Sequence, residues 1–271
     1  MDLDIRGLRV MVSAGASGIG LEIARVFARE GARVHVCDVD ELALERLRSS
    51  DPSIGSTRCD VASREEVARF FDEAMAALHG LDCFVNNAGI AGPTGRIEEI
   101  DPAEWDRCIA VGLTGQFNCA RLAVPHLRRS ANASLMNVSS LAGRLGFAMR
   151  APYAAAKWGV IGLIKSLAIE VAGDGVTVNA VAPTSVDTLM IQNEAFWELF
   201  LPEKDEILHE DVVEAYRALN PIPEPWLAPE DVSATAAFLA LLGTAVLATA
   251  TGWIASYRIL GLRPLEVLRE E

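Results

Sequence analysis

The sequence has no CxxC pair, no HExxH and no histidine cluster. Its five cysteines (Cys37, Cys59, Cys83, Cys108, Cys119) and four histidines (His35, His79, His126, His209) are scattered along the chain. That spacing excludes the common zinc sites and a disulfide framework, so no metal is expected, and an odd number of dispersed cysteines suits a reducing cytoplasm. Basic charge is also in short supply. Lysine and arginine number 24 against 37 acidic residues, a formal net charge of −13, which makes nucleic acid and anionic membranes poor partners. The opening MDLDIRGLRV lacks a basic region followed by an apolar core, and no secretory leader is expected. No Gly/Ser-rich linker, low-complexity block or internal repeat divides the 271 residues, which are read as a single domain, 1–271.

What is present is alternation. Short β-branched runs at Leu8–Ser13, Arg33–Asp38, Ser56–Cys59, Leu81–Asn86, Ser134–Ser139 and Val176–Ala182 alternate with longer helical patterns. The helical patterns are Gly18–Glu30, Glu41–Ser49, Arg64–Leu78, Pro102–Arg129 and Pro152–Ala172. Such βαβ order predicts an α/β fold: a doubly wound Rossmann-type domain with a mostly parallel sheet and helices on both faces. After Pro183 the alternation stops. Met190 to Trp226 is read as irregular, with four prolines and the large apolar residues Phe196, Trp197, Phe200 and Trp226. Residues 187–226 are taken as a substrate lid. A helix from Pro229 to about Leu242 and a strand around Gly252–Tyr257 are expected to finish the sheet.

The first strand runs into Ser13-Ala14-Gly15-Ala16-Ser17-Gly18-Ile19-Gly20, which opens a helix. Backbone N–H groups at such a helix start hold a pyrophosphate, and glycines allow close approach, so Ser13, Gly15, Ser17, Gly18, Ile19 and Gly20 are candidate dinucleotide-binding residues. Asp38 ends the second strand, 18 residues after Gly20. A carboxylate there accepts hydrogen bonds from ribose hydroxyls and repels a 2′-phosphate; with no Arg or Lys in the glycine loop, NAD is favoured over NADP. Tyr153 and Lys157, four apart on a helix, share one face. A phenol with a reference pKa near ~10 is a poor base at neutral pH, and a neighbouring ammonium favours its phenolate. Tyr153 can then take a hydroxyl proton as hydride leaves, or give one back in reduction. Ser140, at the end of the preceding strand, can hydrogen-bond the substrate oxygen.

Together these motifs resemble the short-chain dehydrogenase/reductase family, in its short cytosolic branch. The resemblance rests on the glycine loop, Asp60-Val61, Asn86-Asn87-Ala88-Gly89, Ser140 thirteen residues before Tyr153, Tyr153-x-x-x-Lys157 and Asn179-Ala-Val-Ala-Pro183. It implies Ser140, Tyr153 and Lys157 as the catalytic residues, acting on a secondary alcohol or ketone with NAD. It also implies that Asp60 and Val61 flank adenine, that Asn87 braces the sheet beside the cofactor, and that Lys157 binds the nicotinamide ribose. Val186 and Thr188 would hold the carboxamide, and Ala88, Gly89, Tyr153 and Pro183 count with the cofactor-binding residues. Family dimers often pair the two long helices; here Ala154, Ala155, Trp158 and Ile161 would offer the face, giving a homo-oligomer, a dimer or tetramer.

The chain departs from the family pattern in places. Ala14 stands where the first glycine is usual, adding a Cβ at a tight turn that Gly15 is expected to relieve. Gly112 stands where the family often has an Asn that holds a water beside the lysine. Gly112→Asn is therefore expected to raise turnover and to remove up to roughly 1 kcal/mol of backbone penalty. Thr184 replaces the glycine that usually follows Pro183. Residues 183–240, with Thr188–Phe196 and Leu219–Trp226, resemble the carveol-dehydrogenase-like, mycofactocin-associated branch. The tail, 241–271, is atypical. Val232–Tyr257 is 26 residues without a charge, long enough to cross a bilayer, and Leu260–Arg269 resembles the cytoplasmic end of a transporter permease. Thr, Ser and Gly interrupt the run, and a buried helix, loop and final strand is the favoured reading. The overall expectation is a cytoplasmic NAD-dependent oxidoreductase for an apolar or cyclic alcohol or ketone, with a non-catalytic dinucleotide-binding sensor as the alternative.

Overall fold

The computed structural model describes residues 5–201, 203–204, 206–219 and 224–241. Its strands are β1 (Arg9–Ser13), β2 (Arg33–Asp38), β3 (Gly55–Arg58), β4 (Cys83–Asn86), β5 (Ser134–Val138) and β6 (Thr177–Val181). They form one parallel sheet in the order β3-β2-β1-β4-β5-β6. Winding runs outward from β1 to β3, then crosses back to β4 on the other side of β1. The reversal opens a crevice beyond the C-terminal ends of β1 and β4, where ligands bind in such sheets.

Both sheet faces are covered, which is why the central strands read as nearly unbroken apolar runs. Side chains still alternate between the faces. Val10, Val12, Val85 and Met136 pack with α1 (Gly18–Arg29), α2 (Glu41–Ser50) and α9 (Pro229–Leu241), while Met11, Phe84 and Leu135 pack with α3 (Arg64–Leu78) and α5 (Gly115–Leu127). Helix starts are capped: the Asp40 carboxylate accepts from Ala43 N, and the Ser63 hydroxyl from Glu66 N. α6 (Ala151–Val171) buries Val160, Ile161 and Ile164 against the sheet margin. Ile161 therefore belongs to the core of this chain, whereas Ala155 and Trp158 are exposed.

Two expectations are corrected. The long helix read as Pro102–Arg129 is three pieces: α4 (Pro102–Ile109), a π-helical turn over Ala110–Thr114, and α5. The stretch read as irregular holds α7 (Glu194–Trp197) and α8 (His209–Leu219). Its aromatic residues pack on one another, with Phe196, Trp197, Phe200 and Trp226 around buried Ile191, Val212 and Tyr216. Val232, Ala236 and Ala237 dock α9 in the core; the uncharged tail from 242 onward, with the strand expected at Gly252–Tyr257, lies outside the described residues. Among the described residues no helix is long and apolar enough to cross a membrane.

The end of the sheet away from the crevice is pinned by one carboxylate. Asp82 accepts from Arg9 N at 2.9 Å, Arg9 Nε at 2.8 Å, Arg9 Nη2 at 2.6 Å and Ser130 Oγ at 2.6 Å, joining the starts of β1, β4 and β5. Burial alone would push this carboxyl up, but the bonds from Arg9 and Ser130 outweigh it and hold the group below the ordinary aspartate range. A carboxyl depressed in the folded state stabilises at all pH values above its unfolded pKa, and that stability is lost as pH falls through the folded value. Asp82→Asn should therefore cost about 2 kcal/mol near pH 7. The gap from the native chain should close below about pH 4, as followed by urea denaturation across pH.

Candidate active site

The crevice is built on the loop after β1. Ala14 takes the left-handed conformation, φ 51°, so the Cβ that replaces a glycine here is strained. Gly15 does not relieve it through its own backbone: it is required because a Cβ there would stand 2.7 Å from Val36 Cβ. The loop is held instead by Asn87, whose Nδ2 donates to Ser13 O at 3.2 Å and Ala14 O at 2.9 Å. In return the Ser13 hydroxyl accepts from Asn87 N and Ala88 N. A side chain at Gly20 would overlap the Ala14 carbonyl and the Asn87 amide. Thr188 closes the loop from above, 3.3 Å from where a Gly18 Cβ would be.

The residues present fit a dinucleotide. Ser17 is the N-cap of α1 yet makes no side-chain cap bond, and the first turn carries no acidic residue, so the N–H groups of Gly18, Ile19 and Gly20 face the crevice without a competing anion. Asp38 is buried at the tip of β2; its Oδ2 accepts from Ala16 N at 3.1 Å and its Oδ1 from Asp40 N at 3.2 Å. Asp38 thus braces the glycine loop in addition to presenting a carboxylate. Asp60 is fixed by Ala62 N and by Arg107 Nη1 at 2.9 Å, and Val61 is buried beneath Gly115. Ala88 O accepts from Gln116 Nε2, and Val61 O from Asn118 Nδ2. Sequence reading missed these two buried amides on α5, which carry no motif of their own.

Ser140 follows β5, and Tyr153 and Lys157 stand on α6, which Ser139 and Val138 tie to that strand end. Ser140 Oγ accepts from Ala142 N at 3.1 Å, which leaves its own proton to donate outward. Lys157 is buried; its Nζ donates to Val138 O at 2.9 Å and lies 5.7 Å from the Tyr153 ring centroid. A Cβ on Gly89 would come within 3.1 Å of that nitrogen, so the bare glycine keeps the ammonium's place. Tyr153 is half-buried, and its hydroxyl bonds to no described residue. Pro183 O accepts from Leu141 N and ties the next loop to this corner, while Val186 is buried and bridges Leu227.

One cation was not foreseen. Arg150, the residue before α6, is 6% exposed, with its guanidinium carbon 4.9 Å from the Tyr153 ring centroid and 5.0 Å from that of Phe196. A charged residue one helical turn ahead of Tyr153, ending the run Gly146–Met149, was the available signal.

Gly112 lies in the π-helical turn, and a Cβ there would stand 3.1 Å from Ala156 Cβ on α6. Ala156 Cβ is fixed to its backbone and cannot swing away, so the two helices would have to part by a few tenths of an ångström, which opposes the gain expected from helix propensity. Gly112→Ala should lower stability by about 1 kcal/mol, the small end of overpacking costs, and Gly112→Asn meets the same contact. Urea denaturation of the alanine variant decides: a rise in stability would show that the two helices part freely.

The family model described as short chain dehydrogenase matches residues 9–198. The cis-4-hydroxycyclohexanecarboxylate dehydrogenase of Sinomonas cyclohexanicum is 37% identical over 233 residues, 85% of this chain and 88% of that protein. The (-)-trans-carveol dehydrogenase of Rhodococcus erythropolis is 34% identical over 254 residues, 87% of this chain and 91% of that protein. Among solved structures, carveol dehydrogenase from Mycobacterium avium in complex with NAD superposes with a TM-score of 0.83 at 28% identity, covering 88% of this chain and 92% of that one. The glycine loop, the Tyr153–Lys157 pair and the sheet order carry the same message as these matches: the chain belongs to the short-chain dehydrogenase family.

Proposed function

We propose that the protein is an NAD-dependent oxidoreductase that interconverts a secondary alcohol and its ketone, with Tyr153 as the acid–base group. What supports this reading is the Tyr153–Lys157 pair on α6, with the ammonium held by Val138 O at the end of β5 and Ser140 following that strand. NAD, when bound along the crevice, supplies the hydride acceptor. Ser140 orients the substrate oxygen, Tyr153 Oη takes its proton, and the Lys157 ammonium stabilises the phenolate electrostatically. Gly15, Ser17, Gly18, Ile19 and Gly20 would cradle the pyrophosphate, and Asp38 would receive the ribose hydroxyls. Asp60, Val61, Asn87, Ala88 and Gly89 would line the adenosine and ribose side, with Pro183, Val186 and Thr188 at the carboxamide. Relatives named for carveol and hydroxycyclohexanecarboxylate support a cyclic substrate. The sensor alternative has no support from these two relatives, both of which are named dehydrogenases.

The reading extends to residues 187–226 as a lid, to a cytoplasmic setting and to a homo-oligomer. Five buried free thiols are compatible with a reducing compartment, and exposed Trp158 on α6 with exposed Phe117 on α5 offer an apolar face to a second copy.

Tyr153→Phe should keep NAD binding and lose nearly all alcohol oxidation, because the ring still packs but no transferable proton remains. Turnover within tenfold of the native enzyme, read at the nicotinamide absorbance, would sink the assignment. The native protein should bind NAD more tightly than NADP. Since Asp38 also holds Ala16, Asp38→Ala should weaken both cofactors while narrowing the ratio of their affinities; a ratio left unchanged on titration would remove Asp38 from cofactor choice.

A further inference from the structure

Arg150 is a buried cation with no anionic partner among the described residues. Its guanidinium forms no hydrogen bond or ion pair with any described residue, and its Nη1 is fully enclosed. The groups that interact with it electrostatically are Tyr153 on its own helix, Cys108 on α4 and Tyr216 on α8, none of them a carboxylate. Taking a guanidinium out of water costs several kcal/mol, and arginine cannot escape by losing its proton. The rings of Tyr153 and Phe196 recover part of that through cation–π attraction. Neither ring supplies a hydrogen-bond acceptor in the plane of the guanidinium fork, however, and Nη1 is left unmatched.

The backbone holds the side chain in this place. Met149, immediately before it, takes the left-handed conformation, φ 64°, and its carbonyl accepts from Gly95 N at 3.0 Å. Arg150 O in turn accepts from Ala154 N at 2.9 Å as α6 begins. A strained residue on one side and the helix on the other fix the direction in which Arg150 enters the fold. It enters beside the phenol that handles the substrate hydroxyl, under Phe196 of the lid.

We propose that Arg150 is a substrate-binding residue that pairs with a carboxylate carried by the alcohol, so that the substrate is a hydroxy acid whose hydroxyl meets Tyr153 and whose carboxylate meets the guanidinium edge. A planar carboxylate matches the guanidinium fork with two parallel bonds, whereas a phosphate dianion would call for a second cation. The other cation at this corner, Lys157, holds Val138 O and is assigned to the Tyr153 phenolate. The proposal rests on the reading of Tyr153 as the acid–base group, and the test separates the two.

Oxidation of cis-4-hydroxycyclohexanecarboxylate and of neutral 4-methylcyclohexanol by NAD is compared for the native enzyme, Arg150→Met and Arg150→Lys. In parallel, the Kd of cyclohexanecarboxylate, which has no hydroxyl to oxidise, is measured by calorimetry on the NADH-loaded proteins. The native enzyme should favour the acid at least about tenfold in kcat/KM. Arg150→Met should cut that preference and weaken cyclohexanecarboxylate binding by about tenfold or more, with Arg150→Lys between the two, as expected for loss of charge-assisted hydrogen bonds. An equal fall on both substrates with an unchanged Kd would make Arg150 structural and overturn the proposal. Oxidation of the neutral alcohol with no binding of cyclohexanecarboxylate would overturn it too, leaving the role of Tyr153 intact. Arg150-dependent binding of the carboxylate with neither alcohol oxidised would support the anion site and count against the assigned reaction. If Arg150→Met does not fold, the native preference and the Arg150→Lys ratio decide by the same criteria.

Discussion

The crevice depends on a reciprocal lock between the ends of β1 and β4. Asn87 donates to the carbonyls of Ser13 and Ala14, and the Ser13 hydroxyl accepts from the backbone of Asn87 and Ala88. Neighbouring parallel strands diverge once their ladder ends, so the loops beyond them have no intrinsic reason to keep a fixed separation. The lock supplies one. It also explains how Ala14 persists at a positive φ where a glycine would sit without strain: its carbonyl is claimed by the Asn87 amide. With that carbonyl turned toward Asn87, only a residue without a side chain fits at position 20. The start of α1 and the tip of β2, through Asp38 and Ala16, are then placed by short connections.

A second organising constraint lies at the corner where β5 ends. Ser139, Ser140 and Lys157 share a small volume: the Ser139 hydroxyl donates to Lys157 O, and Gly143 carries no Cβ because one would press on that same carbonyl. α6 is thereby seated on the strand end by polar contacts as well as by Val160 and Ile164. A lysine buried this deeply would be costly alone; Val138 O gives its ammonium one acceptor, and the rest of its hydrogen-bonding capacity faces the site.

Much of this was legible in the sequence, for identifiable reasons. Strand ends agreed within a residue or two because the β-branched runs are short and bounded by turn residues, and the glycine loop, Asn87 and Ser140 each follow closely on a strand. The break between α4 and α5 was not legible. Gly112 against Ala156 and Gly115 against Val61 are contacts between distant segments, and local periodicity holds no trace of them. α8 was hidden because the flanking prolines outweighed its amphipathic pattern. Arg150 was hidden for a different reason: a single charge in a loop has no period, and only three dimensions show that it is enclosed. The lid aromatics were visible, yet the structure uses most of them to build a small core of their own, and Phe196 also lies against the Arg150 guanidinium.

The π-helical turn has a geometric effect on everything after it. Such a turn inserts one residue into an α-helix, and each residue advances the helix by about 100°. The insertion therefore acts as a phase shift between α4 and α5. α4 turns Cys108 toward Gly92, while α5, after the shift, presents Gln116, Asn118 and Cys119 inward to the ends of β3 and β4 and leaves Phe117 outside. Deleting a single residue between 110 and 114 would rotate α5 by about 100°, turning the two buried amides away from the carbonyls they serve. Length in this segment is as much a coded property as residue identity.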